Sequence, residues 1–141
     1  MNPELSIIGS GPAGLSAAIE SAKYGVKVEV IDENILPGGQ LFKQIHKFFG
    51  SKTHYAGVRG YDIGWRLLKE AEDEKVAIRL NTIAWGVFKS NNTNISIGLF
   101  DQQRGFLSKP KKLIVATGAT ENPLSFPGST LPGVMGAGAV Q

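Results

Sequence analysis

The chain has 141 residues, 42% of them apolar and 18 of them glycine, with 15 Lys and Arg against 12 Asp and Glu for a net charge of +3. That length suits one domain with a real core, and so small a charge excess argues against a nucleic-acid surface. The absence of cysteine excludes a redox disulfide, a thiolate metal site and a thiol nucleophile within this chain. No apolar run approaches the ~18 residues needed to span a bilayer. Met1-Asn2-Pro3-Glu4 lacks the basic start of an export signal, so a soluble cytoplasmic protein is expected.

Leu5-Ser6-Ile7-Ile8 is short, apolar and stopped by Gly9, the pattern of a buried strand. From Pro12 to Tyr24, Ala13, Ala17, Ala18 and Ala22 recur at helical spacing, and Gly25 marks the stop. Val26 to Ile31 alternates charged and branched residues, which predicts a second strand with one partly wet face. Strand, helix and strand in this order make a βαβ unit, with a right-handed crossover and parallel strands. Pro37-Gly38-Gly39 is a turn signal, Gln40 to Phe49 predicts a short helix, and Gly50 to Gly60 reads as loop.

A helix over 62–75 follows, with Ile63, Leu67, Leu68 and Ala71 on one face, and then a strand over 76–80. Segments 83–89, 95–100 and 105–109 are separated by Asn91-Asn92-Thr93-Asn94 and Asp101-Gln102-Gln103-Arg104, which predicts a three-stranded antiparallel meander. The glycosylation sequons Asn91-Asn92-Thr93 and Asn94-Ile95-Ser96 read as turn chemistry. Lys109-Pro110-Lys111-Lys112 reads as a solvated strand end, and Leu113 to Ala116 as an apolar strand. Residues 121–141, with Pro123, Pro127 and Pro132, read as an irregular crossing segment.

Gly9-Ser10-Gly11-Pro12-Ala13-Gly14 matches G-x-G-x-x-G, and its context gives the match weight: it follows a strand and opens a helix. Gly9 permits the tight turn, Gly11 lets a pyrophosphate approach the backbone, and Gly14 lets the helix pack on the strand. The helix N-terminus supplies free N–H donors and partial positive charge, and Pro12 lacks an N–H where none is required. Asp32 lies 18 residues after Gly14, at the end of the second strand, where a carboxylate accepts from ribose hydroxyls and repels a 2′-phosphate. Glu33 is the lesser candidate for the same role. His46 and His54 are the only histidines, and neither they nor any other residues assemble into a catalytic or metal-ligating set; Trp65 and Trp85 read as packing residues.

The Gly9–Leu15 turn, Asp32, Pro37-Gly38-Gly39-Gln40 and Ala116-Thr117-Gly118-Ala119 together resemble the two-dinucleotide-binding-domain flavoproteins, which include the pyridine nucleotide-disulfide reductases. Gly38-Gly39-Gln40-Leu41, Thr117 to Glu121, Phe126-Pro127-Gly128 and Leu131-Pro132-Gly133-Val134 are most similar to one branch. That branch is the FAD-binding α subunits of opine oxidase, proline dehydrogenase, hydrogen cyanide synthase and sarcosine oxidase. The resemblance implies an α/β, Rossmann-like FAD-binding sheet with an antiparallel meander, occupying residues 1–120 and lacking the C-terminal segment that completes the family's sheet. It implies that 121–141 lead toward an NAD(P)-like domain absent from this chain.

The resemblance also assigns roles. Gly9, Gly11, Pro12, Ala13 and Gly14 would cradle the FAD pyrophosphate, and Asp32 would hold the ribose. Gly39 and Gln40 would line the path to the flavin, Ile83 would meet adenine through its backbone, and Thr117 and Gly118 would pass close to the cofactor. The expected function is the FAD-binding portion of an oxidoreductase acting on an amine-type substrate, catalytically incomplete alone, with no nameable acid or base. A partner subunit or further segment would complete it. Two other readings stand beside it: an NAD-binding Rossmann dehydrogenase domain, and a non-enzymatic flavin module docked on a partner.

Overall fold

The computed structural model describes residues 3–90 and 94–140. Asn91-Asn92-Thr93, where a turn is expected, and the two chain ends, Met1-Asn2 and Gln141, lie outside the described residues. Four parallel strands form the central sheet in the order β3-β2-β1-β7: β1 (Leu5–Ile8), β2 (Val28–Ile31), β3 (Ala77–Arg79) and β7 (Lys112–Val115). Helices α1 (Pro12–Lys23) and α2 (Gly60–Asp73) cover one face. A second, antiparallel sheet, β4 (Ile83–Ser90), β5 (Asn94–Phe100) and β6 (Gly105–Ser108), packs on the other face. A short helix, α3 (Ala137–Val140), closes the otherwise irregular last segment.

Side-chain alternation along the strands sorts the core into two layers. Leu5, Ile7, Val28 and Val30 point toward the helices and meet Leu15, Ile19, Ile63, Leu67 and Leu68. Ile8, Ile31 and Leu113 point the other way and meet Ile97 and Leu99 of the meander. Burial on both faces explains why β1 and β2 read as near-continuous apolar runs.

Glu29 departs from the expected partly wet face of β2. It is buried at 7% exposure because the meander covers that face. Its Oε1 accepts hydrogen bonds from Ser6 Oγ and Ser108 Oγ, both at 2.8 Å, so one carboxylate ties β1, β2 and β6 together. Arg79 Nη2 lies 3.7 Å from the other oxygen, and its guanidinium sits 5.5 Å from the Phe106 ring, adding a second link between the sheets.

The short helix expected over Gln40 to Phe49 is only one 3₁₀ stretch, Gly39–Lys43. Gln44 is already extended, with φ −97° and ψ 97°. Beyond it the chain pairs with the 57–59 segment: Phe48 N–H donates to Val58 O at 2.9 Å, and Gly57 N–H to Phe48 O at 2.8 Å. Packing Phe48 against the helical core outweighs local helix propensity here. Helix α2 starts earlier than expected, at Gly60, and receives this segment directly. A Cβ on Gly60 would press on Gln44 and Leu41, and one on Gly64 would press on the Phe42 ring. Phe42 in turn meets Trp65 edge to face, with ring centroids 5.3 Å apart. Trp65 and Trp85 both stay more than half exposed while packing locally, Trp85 against Phe88 and across Gly98.

At one edge of the parallel sheet, β7 pairs only with β1 among the described residues. Ile114 and Val115 are 37% and 63% exposed there.

Truncating the buried acid tests the link between the sheets. Glu29→Ala leaves two buried hydroxyls without their acceptor and should lower unfolding stability by about 2–3 kcal/mol in chemical denaturation.

Candidate functional site

The turn from β1 into α1 is built by backbone contact. Gly9 has φ +106°, and its N–H donates to Ile31 O at 2.8 Å. A Cβ there would overlap the carbonyl of Ala116 at the end of β7, and a Cβ on Gly14 would overlap the carbonyl of Gly9. Both glycines are therefore demanded by the fold. Gly11 is different. Its φ of −69° suits any residue, and a Cβ on it would meet nothing within 4 Å. The space in front of Gly11 is open, which the fold alone does not require.

Helix α1 begins directly after Gly11, with no side-chain cap and no acid in its first turn. Its first helical bond runs from Leu15 N–H to Gly11 O at 2.9 Å. The N–H groups of Ala13 and Gly14 thus face the exposed turn without helical acceptors, beside the positive end of the helix dipole. The Gly38–Gln40 turn lies against this opening. Gly38 N–H donates to Ser10 O at 2.8 Å, and a Cβ on Gly39 would sit 2.9 Å from Gly11 Cα.

Asp32 ends β2 at 8% exposure and accepts four hydrogen bonds. Ser10 N–H and Ser10 Oγ donate to Oδ2 at 2.7 and 2.6 Å, and Asn34 N–H and Nδ2 donate to Oδ1 at 2.9 and 2.8 Å. Burial, the largest single influence, pushes the carboxyl pKa up, but the bonds from Ser10 and Asn34 outweigh it and hold the group below its ordinary range. Asp32 lines a cavity of about 150 Å³ together with Gly9, Glu33, Asn34, Thr82 and Thr117.

The structure brings Gly9, Asp32, Glu33 and Thr117 to one cavity, and sets Gly11, Pro12, Ala13, Gly14 and Gly39 around the adjoining helix start. Gly118, with φ +72°, opens onto free space. Ile83 is 46% exposed and does not line the cavity, whereas its neighbours Thr82 and Ala84 do. Gln40 faces a separate, larger cavity. Sequence reasoning missed Ser10, Asn34 and Thr82. The only local signal was their place inside the glycine turn, two residues after Asp32 and just before the meander. His46 stacks on Phe48 at 5.6 Å, and His54 Nδ1 is held by Ser51 Oγ at 2.6 Å. Among the described residues, no group of three His, Cys, Asp or Glu is placed to hold a metal, and no helix is long and apolar enough to cross a membrane.

Residues 3–139 match the model of the pyridine nucleotide-disulphide oxidoreductase family. The chain belongs to that family. It is accordingly the FAD-binding, Rossmann-like domain of a flavoprotein oxidoreductase. An opine oxidase subunit from Agrobacterium tumefaciens is 34% identical over 98% of this chain and 28% of its own length. The HcnB subunit of hydrogen cyanide synthase from Pseudomonas protegens is 32% identical over 96% of this chain and 28% of its own length. The chain therefore spans less than a third of these curated relatives. Among solved structures, L-proline dehydrogenase from P. horikoshii superimposes with a TM-score of 0.75 at 25% identity, over 86% of this chain and 24% of that one. Lactococcus lactis thioredoxin reductase gives 0.71 at 26% identity, over 90% of this chain and 39% of that one.

Acid titration tests the Asp32 network. Because the folded-state pKa is depressed, the ionised carboxylate favours folding. Its contribution is complete above the unfolded value of about 3.9 and drains away as pH falls through the folded value. Asp32→Asn should therefore be less stable than the parent at neutral pH, and the gap in Tm should narrow once the pH drops below about 4.

Proposed function

We propose that this chain holds FAD with its pyrophosphate over Gly11–Gly14, its ribose at Asp32 and its flavin end beyond Gly39 and Gln40. The observation that carries the proposal is Gly11, a glycine that neither backbone angle nor packing requires, facing open space at an uncapped helix start. A diphosphate fits that opening, since the N–H groups of Ala13 and Gly14 donate to it and the first turn of α1 carries no acid to repel it. Thr117 and Glu33 line the adjoining cavity at Asp32, and in this reading Gly118, next along the chain, passes close to the cofactor. The backbone at Ile83, between the lining residues Thr82 and Ala84, is the proposed contact for adenine.

All the acceptor sites of the Asp32 carboxylate are already engaged by Ser10 and Asn34. A ribose hydroxyl therefore has to take the place of one donor. The side chain of Asn34, an exposed residue, gives way at the least cost, while Ser10 keeps the carboxylate aimed. Family membership and the β4–β6 meander favour FAD over NAD as the dinucleotide here.

Once bound, FAD supplies the electron- and hydride-accepting ring, and the redox chemistry is the cofactor's own. This chain's residues bind and orient it. We assign the complete protein to the amine and imino-acid dehydrogenase type, on its likeness to proline dehydrogenase and to the opine oxidase subunit. An NAD(P) site belongs, in this reading, to a further domain. The exposed edge of β7, with Ile114 and Val115, is the place where another strand of the longer protein or of a partner subunit would add to the sheet.

Three variants separate fold from binding. Gly11→Val should keep the parent's far-ultraviolet spectrum while weakening FAD by at least about a hundredfold. Asp32→Ala should weaken FAD about tenfold or more, whereas Asn34→Ala should leave the affinity within about threefold of the parent. Gly14→Val should fail earlier, losing at least about 2 kcal/mol of stability to the clash with Gly9. A folded Gly11→Val protein that kept flavin as tightly as the parent would end the proposal.

A further inference from the structure

We propose that the outer side of the 43–59 segment docks this domain on the surface of an anionic phospholipid bilayer, with its cations on the headgroups and its apolar tips between them. From Phe42 to Phe49 the chain turns successive side chains in and out. Phe42 and Phe48 pack against the helical core, and Gln44 Oε1 is buried. Lys43, Ile45, Lys47 and Phe49 stay exposed, Ile45 at 68% and Phe49 at 92%. Only His46 breaks the alternation, exposed and stacked on Phe48. None of the four outward residues lines the cavity at Asp32 or the larger one that Gln40 faces, so this surface is separate from the dinucleotide site.

Charge points to the partner. Residues 40–66 hold Lys43, Lys47, Lys52, Arg59 and Arg66 against one acid, Asp62, while the rest of the chain carries ten cations against eleven acids. The positive excess of the molecule is therefore gathered here. Among the described residues none of these five cations meets an acid within ion-pair distance, whereas Lys23, Arg79 and Lys111 all do. Two of the five are forced together, because Lys47 and Arg59 face each other across an antiparallel bridge. Like charges so placed repel one another, and an anionic surface relieves that repulsion.

The alternation selects the occupant. A protein partner would need acids and apolar sockets in the same cation–apolar order. A bilayer offers phosphates and hydrocarbon at every point of its plane and takes such a stripe in any register. Each lysine close to an anionic bilayer strengthens binding about fivefold. Apolar side chains that enter the headgroup layer, as Ile45 and Phe49 are placed to do, add to that attraction.

Flotation of the full chain with lipid vesicles tests the proposal. Vesicles of equal parts phosphatidylglycerol and phosphatidylcholine should bind at least about tenfold more tightly than phosphatidylcholine alone, and added salt should release the protein. Lys43→Gln with Lys47→Gln should weaken binding at least about tenfold, and Phe49→Ser about tenfold. These positions are exposed, so the far-ultraviolet spectrum and Tm should match the parent's. Lys109→Gln with Lys112→Gln, which removes as much charge from another exposed site, should keep binding within about threefold of the parent. No binding to the mixed vesicles, an equal loss from the Lys109 and Lys112 variant, or undiminished binding by Phe49→Ser would each overturn the proposal. The last result, with polyglutamate displacing the vesicles, would assign the surface to an acidic protein instead.

Discussion

The molecule is organised around one backbone approach: the first turn of α1 lies directly on the end of β1. Gly14 gives up its side chain so that the carbonyl of Gly9 can occupy that space, and Gly9 gives up its own so that the end of β7 can lie alongside. The helix, the central strand and the neighbouring strand thus meet at Gly9 and Gly14. Everything proposed to bind a dinucleotide depends on this convergence, because it aims the unpaired N–H groups of α1 at the C-terminal edge of the sheet. In open α/β sheets that edge is where ligands bind.

Around this point the structure spends its buried polar groups on positioning. Asp32 is gripped from two sides by Ser10 and Asn34, and Glu29 is gripped by serines from β1 and β6. The first network shapes the mouth of the small cavity, and the second fixes the meander that roofs it. Neither acid stands unpaired, so both are held in place before any cofactor arrives. In a site of this kind the protein contributes geometry, and pre-set carboxylates are a direct form of it.

Much of this was legible in the residues. The run at 5–8 reads as a buried strand and that at 113–116 as an apolar one, although Ile114 and Val115 lie exposed at the sheet edge, and the glycine turn between strand and helix carried its own mechanism. The meander followed from polar turns at 91–94 and 101–104. Other features were hidden because their causes are distant in sequence. Glu29 reads as a solvent-facing residue until Ser108, 79 positions away, closes over it. The Gln40–Phe49 stretch has helical composition, but Phe48 is drawn into the core and the backbone pairs with 57–59 instead. Ser10 and Asn34 are small polar residues in turns, a class too common to single out. Their role appears only once the fold brings them to one carboxylate.

The glycines of α2 have a consequence for anyone seeking to harden this domain. Replacing helical glycine with alanine is a standard route to stability, worth up to about 1 kcal/mol where the site is open. At Gly60 and Gly64 the sites are not open: each added methyl would meet the Leu41–Gln44 strip that lies flat on the helix. A local improvement in helicity would therefore be felt across the domain as a displaced Gly39–Gln40 turn. This helix is held short of its best sequence by the neighbour it carries.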